Sequence, residues 1–278
     1  MGLKIYINGK FYPESRAKVS VFDHGYLYGD GVFETLRSEG GEVFKLDEHL
    51  NRLFNSAQTI KLRVPLTKEE IKEAVKETLK KNRLKSAYIR VSLSRGRGEL
   101  GLSPKSCSSP NLVIIAKGPK GYPLKLYQKG VEVITVSTRR SDPAMLFPNI
   151  KCANFLWGIL AKIEAEQRDA FEAILLNSKG EVTEGTVSNI FIVKESILIT
   201  PPTYVGILEG ITRNCVIELA KKIGIEVKEE IITCYDLYTA DESFLTNTSL
   251  RIMPVVKVDG RVIGKGKPGK ITRRLIVN

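Results

Sequence analysis

Residues 171–193 read FEAILLNSKGEVTEGTVSNIFIV, and how this stretch folds decides the architecture around it. Phe171–Leu176 is an apolar run, Asn177-Ser178-Lys179-Gly180 is a turn signal, and Asn189–Val193 is rich in β-formers. The pattern predicts two buried strands facing each other across a polar turn, with Glu184 in an irregular link beside Gly185. A carboxylate brought near a core carries a large desolvation cost unless a positive group or several donors compensate it. Glu184 is therefore either a solvated turn residue or the partner of a cation, and the stretch alone leaves both open.

Composition narrows the setting. A chain of 278 residues with 42% hydrophobic residues suits one large or two modest domains with a real core. No apolar run approaches a membrane span, and the start, MGLKIYINGKFY, lacks the basic-then-apolar layout of a signal peptide, so the expectation is a cytoplasmic protein with no membrane partner. Four cysteines without a CxxC pair, beside two histidines, suggest neither a zinc site nor a disulfide framework. The net charge of +12 is spread along the chain and alternates with glutamate, as in IKEAVKETLKK. That is the pattern of solvated helix faces rather than of a nucleic-acid partner, and it also suits a protein handling phosphorylated or carboxylate ligands.

Working outward, Lys4–Tyr12 alternates about Asn8-Gly9 and predicts a hairpin. Residues 21–38 place Gly25, Gly29 and Gly31 among aromatics before a strand, which reads either as a ligand-approaching loop walled by Tyr26, Tyr28 and Phe33 or as an aromatic core loop. Leu46–Ile60 has helical periodicity with Arg52 off the apolar stripe, where a surface charge is the alternative to a ligand contact. Thr67-Lys68-Glu69-Glu70 is a capping box opening a helix to about Lys81. AYIRVSLSR then alternates as a strand, with Arg90 open to a strand-face salt bridge, and RGRGELG is a glycine-rich loop. The composition break at Lys117–Pro123 places a linker at 119–128 between a small domain, 1–118, and a larger one, 129–278. The larger begins with a strand from Val131, then a Pro-punctuated loop, SDPAMLFPNI, leads to Lys151 and a helix over 154–167. Alone, Lys151 is one cation among many. Gly210-Ile211-Thr212-Arg213 opens a helix whose free amides, with the Thr212 hydroxyl, make an anion site. Ser243–Thr246 predicts a strand ending in Asn247-Thr248-Ser249.

In this order and at these separations, EVTEGTVSNIFIV, LITPP, ILEGITR and LYTADESFLTNTSLRIMPV resemble the fold-type IV (class IV) pyridoxal-phosphate enzymes. That family holds branched-chain and D-amino-acid aminotransferases and 4-amino-4-deoxychorismate lyases, and the likeness runs from about Ile5 to Gly264. The resemblance implies a two-domain α/β fold of the D-amino-acid aminotransferase type, with pyridoxal 5'-phosphate in the interdomain cleft. It makes Lys151, in the larger domain, the catalytic lysine that forms the Schiff base, and Glu184 the partner of the protonated pyridine nitrogen. Arg52, Ile211, Thr212 and Thr248 become phosphate contacts, whereas Tyr28, Phe33, Tyr88, Arg90 and Ser249 become substrate contacts. No metal is implied.

The chain also departs from the branched-chain pattern. FETLR stands where those enzymes usually read FEGIR, so Thr35 narrows the pocket and adds a hydroxyl. Phe155 replaces a tyrosine and lacks its hydroxyl. TNTSLRIMPV looks closer to the lyase and mixed-specificity members. The expected activity is transfer of an amino group from an aliphatic, branched-chain-type amino acid to 2-oxoglutarate by ping-pong half-reactions, in a homodimer or higher homo-oligomer. A 4-amino-4-deoxychorismate lyase and a D-amino-acid aminotransferase are the alternatives.

Overall fold

The computed structural model describes residues 2–119, 121–141 and 147–277; residues 142–146 of the expected Pro-punctuated loop lie outside them. Contacts divide the chain into two units, Met1–Lys120 with Ile150–Asn154, and Gly121–Asn149 with Phe155–Asn278.

In the first unit, β1 (Lys4–Ile7), β2 (Lys10–Pro13), β3 (Gly31–Glu39), β4 (Glu42–Val43), β5 (Ala87–Ser94) and β6 (Asn111–Lys117) form an antiparallel sheet in the order β2-β1-β6-β5-β3-β4. The helices are α1 (His24–Tyr28), α2 (Leu46–Thr59) and α3 (Lys68–Lys81). Period-two patterning sends Ala87, Ile89, Val91 and Leu93 of β5 into a core shared with Leu50, Leu53 and Ala57 of α2 and Ile71, Val75 and Leu79 of α3. Each large apolar side chain buried there contributes about 1.5–3 kcal/mol. The opposite face carries Phe33 and Thr35 of β3 and Tyr88 and Arg90 of β5, with Thr35 directly across from Arg90. The capping box at Thr67 and Glu70 is formed.

The second unit contains β7 (Val131–Arg139), β8 (Glu172–Leu176), β9 (Val182–Gly185), β10 (Asn189–Lys194), β11 (Ile197–Thr200), β12 (Val227–Glu229), β13 (Glu242–Asn247), β14 (Arg251–Val258) and β15 (Arg261–Val262). Its helices are α4 (Leu124–Lys129), α5 (Leu156–Glu166), α6 (Ile211–Lys222), α7 (Cys234–Tyr238) and α8 (Lys270–Val277). The sheet runs β12-β11-β10-β13-β14-β7-β8-β9 and curls until β9 meets β10 at the pair Glu184–Asn189.

Three expectations are corrected. Glu184 is not in an irregular link: Val182–Gly185 is a strand, antiparallel to β8. Its polar residues survive burial because Thr183 Oγ1 donates to Leu175 O at 2.7 Å and Glu184 has donors of its own. Lys151 is not grouped with the larger unit. Main-chain bonds fasten its segment to the open edge of β3, from Phe33 N to Lys151 O and from Ala153 N to Gly31 O, both 2.9 Å. Finally, Leu124–Lys129 of the expected linker is helix α4, held in the second unit by Tyr127, whose hydroxyl donates to Leu250 O at 3.0 Å.

Candidate active site

Lys151 owes its position to backbone. Its carbonyl is bonded to β3, and its amide donates to Ser56 Oγ on α2 at 3.3 Å. Its ammonium lies 4.7 Å from the centre of the Phe33 ring. The same ring carries the Arg90 guanidinium at 3.8 Å, close enough for cation–π attraction. Arg90 Nε donates to Ser92 Oγ, and among the described residues no carboxylate pairs with it. Burial lowers the Arg90 guanidinium from its ordinary value, with Tyr88 opposing the shift. Tyr88 in turn lies 3.5 Å from Thr35 Oγ1. One face of the sheet thus gathers the amine, an aromatic ring, a carboxylate-seeking cation and two hydroxyls.

The other face presents Arg52 on α2. Its Nε and Nη2 grip Glu34 Oε1 and Oε2 at 2.6 and 2.9 Å, and His49 Nδ1 lies 2.7 Å from Oε2. Glu34 is completely buried. Burial alone would raise its carboxyl; the charge and hydrogen bonds of Arg52, with those of His49, outweigh that and hold it at about 2.

In the second unit, Glu184 accepts from Arg140 Nε at 2.8 Å through Oε1 and from the Leu208 amide at 3.0 Å through Oε2. Asn189, its strand partner, donates from Nδ2 to Leu208 O at 2.9 Å and so ties the loop before α6 to the same strand. A β-carbon at Gly210 would collide with Asn189 Oδ1, which is why glycine opens that helix. Helix α6 starts without a side-chain cap, leaving the opening amides, with Thr212, for an anion. Thr248 and Ser249 form the half-buried tip of the β13–β14 turn. Asn247 Oδ1 accepts the Ser249 amide at 2.8 Å, and its Nδ2 donates to Val187 O at 3.1 Å. Beneath Thr186 and Ser188, whose hydroxyls donate to it, Glu172 is buried with its carboxyl pushed up by desolvation.

The structure therefore brings Lys151, Phe33, Tyr88 and Arg90 together in the first unit, with Arg52 on the sheet's other face. In the second unit it links Glu184, through Asn189 and Leu208, to the loop that leads to Ile211 and Thr212. Tyr28 ends α1, its hydroxyl accepting from the Gly101 amide at 2.8 Å, and is joined to the Phe33 group by no hydrogen bond or ring contact among the described residues. Sequence reasoning missed Arg140, Asn189, Glu34 and His49. Asn189, a polar residue opening an apolar strand, was a usable signal; Arg140 had none, because its partner is 44 positions away.

The first unit thus holds an amine beside an aromatic ring and a forked arginine, and the second a buried carboxylate and an uncapped, glycine-opened helix. The amino-transferase class IV family model matches residues 31–258. A Methanocaldococcus jannaschii protein with the provisional name branched-chain-amino-acid aminotransferase is 52% identical, over 98% of this chain and 94% of its own. A Bacillus licheniformis D-alanine aminotransferase is 35% identical, over 98% of this chain and 94% of its own. The solved structure of an Escherichia coli branched-chain amino acid aminotransferase superposes with a TM-score of 0.96 at 34% identity, over 99% of this chain and 93% of that one. The chain belongs to the class IV aminotransferases, enzymes whose cofactor is pyridoxal phosphate. Among the described residues no helix is long and apolar enough to cross a membrane.

Proposed function

We propose that the protein moves the amino group of an aliphatic, branched-chain-type L-amino acid to 2-oxoglutarate in two half-reactions. The observation that carries this reading is the half-buried Arg90, without a carboxylate partner among the described residues and stacked on the ring that also meets the Lys151 ammonium. A guanidinium so desolvated is a receptor for a carboxylate, here the side-chain carboxylate of the acidic acceptor. Phe33 supplies the apolar wall for an aliphatic donor. Bound pyridoxal phosphate supplies the carbonyl that accepts the amino group and a ring that takes up electrons from the α-carbon. Lys151 Nζ takes and returns the α-proton. Glu184 keeps the ring nitrogen protonated, and Arg52, the Ile211 and Thr212 amides and Thr248 hold the phosphate. The Ser249 turn receives the α-carboxylate, and Tyr28 closes the substrate side.

Two copies pair in solution in the cytoplasm. Helix α5 supports the pairing, since it turns Leu156, Ile159, Leu160 and Ile163 outward at 67, 56, 48 and 45% exposure, a continuous apolar stripe.

The test is spectral and needs no coupling enzyme. L-Leucine without acceptor bleaches the visible band of the loaded protein, and 2-oxoglutarate restores it while forming glutamate. A response to D-alanine alone would favour the stereochemistry of the Bacillus licheniformis relative. Pyruvate released from 4-amino-4-deoxychorismate without acceptor would overturn the transfer reading in favour of the lyase. Lys151→Ala should cut the half-reaction rate by about 10²- to 10⁴-fold.

A further inference from the structure

We infer that Arg140 is a positioning residue whose work is to hold Glu184 ionised and aimed; this rests on the reading of Glu184 as the partner of the cofactor's ring nitrogen. Arg140 follows β7, and its amide donates to Leu176 O of β8 at 3.0 Å. Its guanidinium lies 4.1 Å from the Trp157 ring centre on α5, Nη2 reaches Pro148 O at 3.4 Å, and Nε donates to Glu184 Oε1 at 2.8 Å. Only 7% of the residue is exposed, and Glu184 is 5% exposed.

A carboxylate this buried carries a large desolvation cost as an anion, which a neighbouring cation offsets most strongly. Arg140, beside the Leu208 amide on the other oxygen, thus supplies positive charge to Glu184 before any ligand arrives. A guanidinium clamped on three sides, by carbonyl, indole and carboxylate, on a backbone bonded to β8, is also too rigid to leave. Charge and direction of Glu184 are set by the protein.

A double-mutant cycle on Arg140→Met and Glu184→Gln tests this, reading pyridoxal phosphate affinity by equilibrium dialysis and the position of the visible band without substrate. Arg140→Met should weaken cofactor binding about 10- to 100-fold and move the band; in the Glu184→Gln background it should change neither by more than about twofold. Equal losses in both backgrounds would overturn the inference and leave Arg140 as a prop for its own loop. If Glu184→Gln alone alters neither affinity nor band, it is the reading of Glu184 that fails. Should Arg140→Met not fold, Arg140→Lys carries the same cycle. Keeping the charge, it should hold the band and lose under about tenfold in affinity in the Glu184 background; a larger loss, equal in both backgrounds, overturns the inference.

Discussion

Arg52–Glu34 in the first unit and Arg140–Glu184 in the second are both buried arginine–glutamate pairs, and they are built differently. In the first, the fork of the guanidinium takes both carboxylate oxygens, and His49 adds a third contact to a carboxylate with no exposure at all. The arginine is the more exposed partner, at 16% of its side chain, so Glu34 acts as a stand for Arg52. In the second, one nitrogen of the arginine reaches one oxygen, and the other oxygen is held by a main-chain amide from a different element. There the arginine is wrapped and the carboxylate bridges. A pair of one chemistry can thus present either member, depending on which is tied down by the rest of the fold.

The sharpest way to break the comparison is Glu34→Gln. It keeps the shape but removes the negative charge that Arg52 and His49 share, and urea denaturation should show a loss of about 3–5 kcal/mol. A loss below about 1 kcal/mol would mean that the fork contributes geometry alone.

Acid should reveal the same pair. Because the Glu34 carboxyl is held at about 2, below the ordinary value of 4.5, its stabilising contribution is complete above about pH 4.5 and fades as the pH falls through 2. The difference corresponds to roughly 3 kcal/mol. Glu34→Gln should flatten the acid limb of a stability–pH profile measured between pH 6 and 2 by that amount; an unchanged slope assigns the acid sensitivity elsewhere, for instance to Glu164, also held at about 2 by Thr138 and Ser137 against the effect of burial.

The smallest effect is expected from Arg52→Lys, which retains charge and loses the fork. About a tenfold rise in the cofactor dissociation constant, with little change in melting temperature, is the outcome that fits a stand-and-presenter arrangement.

The two pairs also mark what could be read before folding. Period-two alternation in AYIRVSLSR, the capping box at Thr67 and the Asn8-Gly9 turn were all local, and the fold honours them. Glu184 was picked out, but its strand was not, because Val-Thr-Glu-Gly carries no apolar run and owes its burial to donors from Arg140 and Leu208. Arg52 was found through its family position, whereas its anchor Glu34, 18 residues back in the chain, looked like an ordinary strand residue. Pairing across such distances is written in three dimensions, and a residue's neighbours in the chain say little about it.

Residues Ile150–Asn154 cover the edge of β3 beside Gly31–Phe33, although more than a hundred residues separate them. In synthesis, the first sheet emerges with that edge bare, and it stays so until about 150 residues have been made. A nascent chain paused at the end of β6 exposes unpaired amides and carbonyls that invite a neighbour's strand. The segment bearing the amine is thus also the latch that ends this vulnerable interval.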